Sequence, residues 1–176
     1  MEILKYPHPS LKRKCKAVKR IDDDLIRRVA EMFDVMHRAK GVGLAAPQVG
    51  WEVRLFVVNT SKNRTGEMVF INPTIVETTG TVNEEEGCLS LPGINATVPR
   101  AETVRVRAFD LAGRDFEVEA GGLLGIAIQH ENDHLDGKLF ISKLTRAGKE
   151  AIAEKLRELE KESEAKPPEV PEKCRT

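Results

Sequence analysis

Six consecutive apolar residues, Leu123-Leu124-Gly125-Ile126-Ala127-Ile128, run without a break into Gln129-His130-Glu131-Asn132-Asp133-His134. Gly121-Gly122 opens this stretch as a helix, and a helix apolar on every side must be covered from all directions. At its far end two imidazoles stand at i and i+4 on one face, where one cation can bridge them. Glu131 lies roughly 100° round the helix from His130. It can therefore reach water held at such a cation without binding the cation itself. A polar His–Glu pair closing an apolar helix has to be satisfied by something.

The rest of the chain supplies the cover. Residues 1–20 are basic and broken by Pro7 and Pro9, which gives an irregular arm with one helical turn from Ser10. From Asp24, the residues Leu25, Ile26, Val29, Met32, Phe33 and Met36 recur at steps of three and four and predict an amphipathic helix. Asp22 to Asp24 start it and Gly41 stops it. A glycine-rich turn spans Gly41 to Gly50, and a strand follows from Val53 to near Asn59. Ser61 to Glu67 reads as a polar loop. Short strands are expected at Met68–Asn72, Thr74–Thr78, Val104–Phe109 and Phe116–Glu119, with a hairpin turn at Leu111–Arg114. A charged final helix runs from Thr145 to about Ala165 with Ile152, Leu156 and Leu159 as its stripe. No repeat and no second core are visible. The expected architecture is one α+β domain, residues 1–165, with mixed, mostly antiparallel short strands around the buried central helix. Residues 166–176, with three prolines, read as a frayed tail.

Composition limits the function classes. The 176 residues hold 28 Lys and Arg against 28 Asp and Glu, which argues against nucleic-acid binding through bulk charge. No run of eighteen apolar residues exists to cross a membrane, and the N-terminus lacks signal and transit patterns. Cys15, Cys88 and Cys174 are odd in number and widely spaced, so they read as free thiols in a reducing cytoplasm.

Two histidines do not complete a catalytic metal site, which takes three protein ligands and leaves a position open. A third histidine six residues past the second would fall at position 140, which is Phe140. Glu154 and Glu158 on the terminal helix are one source of a third ligand. Cys88, in the Gly- and Pro-flanked segment Glu86-Gly87-Cys88-Leu89-Ser90-Leu91-Pro92, is another.

Three motifs now stand in order: Gly41-Val42-Gly43-Leu44-Ala45-Ala46-Pro47-Gln48, Glu86-Gly87-Cys88-Leu89-Ser90, and Gln129-His130-Glu131-Asn132-Asp133-His134-Leu135-Asp136-Gly137. Together they resemble the peptide deformylase family over residues 1 to 160. The resemblance implies a metal-dependent amide hydrolase that removes the formyl group from N-formylmethionine of nascent chains. It implies Cys88, His130 and His134 as metal ligands with water as the fourth, Fe(II) as the natural metal, and Zn, Ni or Co as alternatives. Glu131 would serve as general base and then acid. Donors to the formyl oxygen would be the Gln48 amide and the Leu89 backbone N–H. The Gly43 carbonyl would pair with the substrate N–H, and Val42, Leu123, Ile126 and Ala127 would line the methionine pocket. The implied partners are the formylated nascent peptide and the ribosome near its exit tunnel, where Arg146, Lys149, Lys155 and Arg157 are a basic candidate element interleaved with acidic residues.

The chain departs from the family pattern at Pro47, at Gly93-Ile94-Asn95, which has no arginine, and at Glu84, which suggests a more polar outer pocket. His8 and His37 are read as surface or packing residues, and Cys15 and Cys174 as bystanders. Two rivals remain: a small metallopeptidase with a downstream glutamate ligand, and a non-catalytic protein whose His₂Cys site only staples the fold.

Overall fold

Asp22 caps the first helix, α1 (Asp23–Arg38), by accepting the Leu25 N–H at 3.0 Å in the computed structural model, which describes residues 1–61 and 63–165. Leu25, Val29, Met32, Phe33 and Met36 are buried, whereas Ile26 is 44% exposed, because it sits off the face that the other five complete. The helix turns out one residue before the expected glycine. Lys40 takes φ +56°, and the Gly41 N–H returns to the Met36 carbonyl at 3.0 Å. The arm before α1 contains the expected short turn, a 3-10 helix at Pro9–Lys12.

The glycine-rich segment is more ordered than its composition indicates. It holds strand β1 (Gly43–Ala45) and a 3-10 turn, Ala46–Val49. Strand β2 (Leu55–Val58) alternates between two apolar cores rather than between core and solvent. Leu55 and Val57 meet α1, while Phe56 and Val58 face the opposite layer. The two strands expected at Met68–Asn72 and Thr74–Thr78 are a single strand, β3 (Met68–Thr79), bent where Asn72 takes φ +51°. The Asn72 side chain replaces the lost ladder bonds by pairing with both the N–H and the C=O of Val18, at 2.8 and 2.9 Å.

Sequence periodicity missed β4 (Val82–Cys88) and β5 (Leu91–Arg100), which form a separate antiparallel hairpin. Strands β6 (Thr103–Phe109) and β7 (Asp115–Gly121) follow, joined by the expected turn. The main sheet is antiparallel throughout, in the order β1-β2-β3-β6-β7. The apolar stretch is α2 (Gly122–Leu135), and the terminal helix is α3 (Arg146–Ala165).

The α+β fold is thus layered around the sheet. One face packs on α1. The other receives α2, with Ala127, Ile128 and Leu135 against Phe56, Phe70, Val104 and Val106. A third cluster joins β5 to α3 through Leu91, Ile94, Val98, Phe140 and Ile152. The α2 helix therefore lies between the sheet and the β4–β5 hairpin, as an all-apolar helix requires, except in its first turn. There Leu123 is 54% exposed, because a cleft opens beside it. No described helix is long and apolar enough to cross a membrane. The proposed tail, 166–176, and Cys174 within it lie outside the described residues.

Candidate metal centre and cleft

Cys88 ends β4, where the hairpin register shifts between Gly87 and Cys88 and the cysteine comes to pair with Leu91. This shift aims its sulfur at the last two turns of α2. The Cys88 Sγ stands 3.3 Å from His134 Nε2, and one donor atom each from Cys88, His130 and His134 all lie within 4.8 Å of one another. His130 is oriented from behind by Glu86, whose Oε2 is 2.8 Å from Nδ1, which leaves Nε2 for the centre. Glu154 and Glu158, the alternative ligands, are exposed on α3 and take no part.

Beneath the histidine sits a buried ion cluster that no motif announced. Arg100 donates to both Glu86 oxygens, at 2.6 and 2.9 Å, and to Asp133 Oδ2 at 2.6 Å. Burial alone would raise the Glu86 pKa, but hydrogen bonds from Arg100 and then His130 outweigh it and hold the group at about 2. A carboxyl depressed from 4.5 contributes stability that is complete above pH ~4.5 and lost as pH falls toward ~2, on the order of 3 kcal/mol. In metal-free protein, the urea midpoints of wild type and Glu86→Gln should therefore differ most near neutrality and converge as pH falls from 5 to 3. A gap that stays constant across that range would refute the ion-pair account.

Glu131 is 4% exposed, and burial pushes its carboxyl up to about 7 despite the nearby His130. Its Oε1 lies where a Cβ on Gly43 would stand, at 2.5 Å, so only glycine leaves room for the carboxylate. Its Oε2, like His134 Nδ1, is buried with no hydrogen-bond partner among the described residues. Gln48 is 1% exposed. Its Oε1 accepts the Ala45 N–H at 2.8 Å, and its Nε2 lies 3.6 Å from the Cys88 sulfur and 3.2 Å from Ser90 Oγ.

Cys88, His130, Glu131 and Gln48 line a cleft of ≈540 Å³. Val42, Gly43, Leu123, Ile126 and Ala127 line it, together with Leu89. Val42 and Leu123 are cleft walls rather than core, at 40% and 54% exposed. Glu85 and Glu86 line the cleft where Glu84 was expected. Lys5, from the N-terminal arm, also lines it and was not foreseen. His37 bonds Glu67 at 2.7 Å, and His8 caps the first turn through Ser10, both away from the centre. Cys15 is buried, and desolvation raises its thiol to about 11, so it is inert.

The donor set fits a divalent transition metal. One thiolate and two imidazoles are borderline-soft ligands, and three of them leave a side open on the cleft. Burial opposes charge on His130, yet the hydrogen bonds its ring donates to Cys88 and Glu86 raise its proton affinity well above the usual value, while burial and then the charge of His130 drive that of His134 well below it.

The sequence model of the family described as Polypeptide deformylase matches residues 1–150. A peptide deformylase from Tolumonas auensis is 46% identical over 159 residues, covering 90% of this chain and 95% of its own. One from Chromobacterium violaceum is 47% identical over 163 residues, covering 93% and 98%. Among solved structures, peptide deformylase from Plasmodium falciparum superposes with a TM-score of 0.90 at 40% identity, covering 93% of this chain and 98% of that one.

Proposed function

The chain belongs to the polypeptide deformylase family, and from that premise we infer how its residues divide the work. It is a hydrolase that removes the N-formyl group from newly made peptides. We propose that Cys88, His130 and His134 hold one divalent cation. The observation that carries this reading is the convergence of the three donor atoms beside the buried Glu131 carboxylate, one oxygen of which has no partner among the described residues.

A cation there would supply Lewis acidity to the attacking water and to the formyl carbonyl. Glu131 accepts a proton from that water as its oxygen bonds to the formyl carbon. As the C–N bond breaks, Glu131 passes the proton to the departing amine, so that formate and a free N-terminus leave. A carboxyl held at about 7 is suited to both transfers near neutral pH. The Gln48 amide and the Leu89 N–H donate to the formyl oxygen as charge develops on it. The Gly43 carbonyl accepts the substrate N–H, and Val42, Leu123, Ile126 and Ala127 enclose the methionine side chain. An open side toward a cleft supports catalysis over a purely structural metal, which would be closed by four protein ligands.

Fe(II) is the metal we assign, with Zn, Ni or Co able to replace it. The thiolate favours softer ions than an all-oxygen site would. The reducing cytoplasm, where the free thiols Cys15 and Cys88 persist, is the compartment we assign, and the ribosomal exit tunnel the place of encounter. Co-sedimentation of the chain with ribosomes at physiological salt tests that encounter.

The central experiment is oxygen-free purification with metal analysis and free-amine release from formyl-Met-Ala-Ser. Wild type should carry about one iron per chain and deformylate. Cys88→Ala should lose both the metal and the activity. A Cys88→Ala protein that keeps full metal would disprove the ligand assignment.

A further inference from the structure

The N-terminal arm crosses the floor of the centre. The Leu4 N–H donates to the Gln48 carbonyl at 2.7 Å, and the Tyr6 N–H donates to the Ser90 carbonyl at 2.9 Å. Between them, Lys5 Nζ donates to the Leu89 carbonyl at 2.5 Å. The arm is fixed on its far side as well, where the Tyr6 hydroxyl bonds Glu160 of α3 at 2.8 Å. One short segment thus ties together the two loops that carry Gln48 and Cys88-Leu89-Ser90.

The Leu89 carbonyl shares its peptide group with the Ser90 N–H, which points at the Cys88 sulfur at 3.4 Å. An ammonium on that carbonyl polarises the peptide and strengthens the N–H as a donor to sulfur. It also restrains the Leu89–Ser90 peptide, which is joined through Leu89 to the peptide that carries the Leu89 N–H.

We propose that Lys5 is a positioning residue for deformylation, clamping the Leu89 carbonyl so that the Ser90 N–H holds the Cys88 sulfur and the Leu89 N–H faces the formyl oxygen. This rests on the family reading of Leu89 and Cys88 given above. Lys5 lines the cleft, yet its head is spent on the carbonyl rather than held free for substrate.

The test compares Lys5→Met, which keeps the stem and removes the charge, with Lys5→Arg, which keeps the charge. Each is read by kcat and KM on formyl-Met-Ala-Ser, and by the thiolate-to-metal absorption band of the cobalt-substituted protein. Lys5→Met should lower kcat roughly fivefold, the worth of one partly screened charged hydrogen bond. It should leave KM within about twofold, the mark of an interaction that acts on the transition state. It should also shift the cobalt band. Lys5→Arg should restore both kcat and the band. An unchanged kcat, a change confined to KM, or an unmoved band would overturn the proposal. Thermal melting of the metal-free proteins separates a folding defect from these effects, since lost stability alone would not move the band. Inactive wild type would instead strike at the deformylase reading itself.

Discussion

Glu131→Gln should lower kcat by about 10²–10⁴-fold, the range for removal of a general acid–base group, while the protein keeps its metal. Glutamine fills the same volume, so the contact with Gly43 and the shape of the cleft persist. What is lost is the ability to take a proton from water and return it to the amine. The metal should stay because the three donor atoms that converge belong to Cys88, His130 and His134 and not to Glu131. Metal analysis alongside single-turnover deformylation checks both halves. Activity within tenfold of wild type would remove Glu131 from the reaction, and loss of metal would make it a ligand.

Arg100→Met should destabilise the metal-free fold by about 3–5 kcal/mol, because it strands buried charges that had one shared partner. The Arg100 side chain is 2% exposed between Glu86 at 4% and Asp133 at 13%. Each carboxylate has one further partner, Lys143 at 3.4 Å from Asp133 and His130 at 2.8 Å from Glu86, and neither matches the forked contact that Arg100 makes. The damage should extend to the metal. Without Arg100, Glu86 is no longer held in place and His130 loses the partner that fixes its ring, so affinity should fall about 10–100-fold. Combining Arg100→Met with Glu86→Gln should cost less than the two separate losses together, because the second change removes the charge that the first leaves unpaired. Urea unfolding and competition with a chelator measure the two quantities. Additive losses would mean that the ion cluster is not a unit.

What could be read from the sequence follows a physical division. Helix α1 and strands β6 and β7 each bury one regular face, which periodicity records, and α2 shows itself by an unbroken apolar run. The β4–β5 hairpin does not alternate cleanly, because Glu86 and Arg100 point inward as a neutralised pair while neighbouring residues line a cleft. A pattern rule reads such a segment as a loop. Strand β3 was divided in two because Asn72-Pro73 looks like a break, and only its side-chain bonds to Val18 show how the strand continues. The motif residues were legible because their chemistry fixes residue type and spacing. Arg100 and Lys5 were not, since an arginine after a proline and a lysine in a basic arm carry no local signal. Glu86 and Asp133 lie within the second and third motifs, and a carboxylate beside a proposed ligand position is the signal for a buried cation such as Arg100.

Helix α2 has two unlike ends. Its first turn is open, with Leu123 more than half exposed and backed by the cleft, whereas its last turns are locked by the sheet, the hairpin and the Glu86–Arg100 pair. Selectivity and chemistry therefore sit on one rigid rod but answer to different neighbours. A change at Leu123 alters what the cleft admits while disturbing little packing, and a change at His130 disturbs everything beneath it. Such an arrangement uncouples the width of the cleft at Leu123 from the packing around His130.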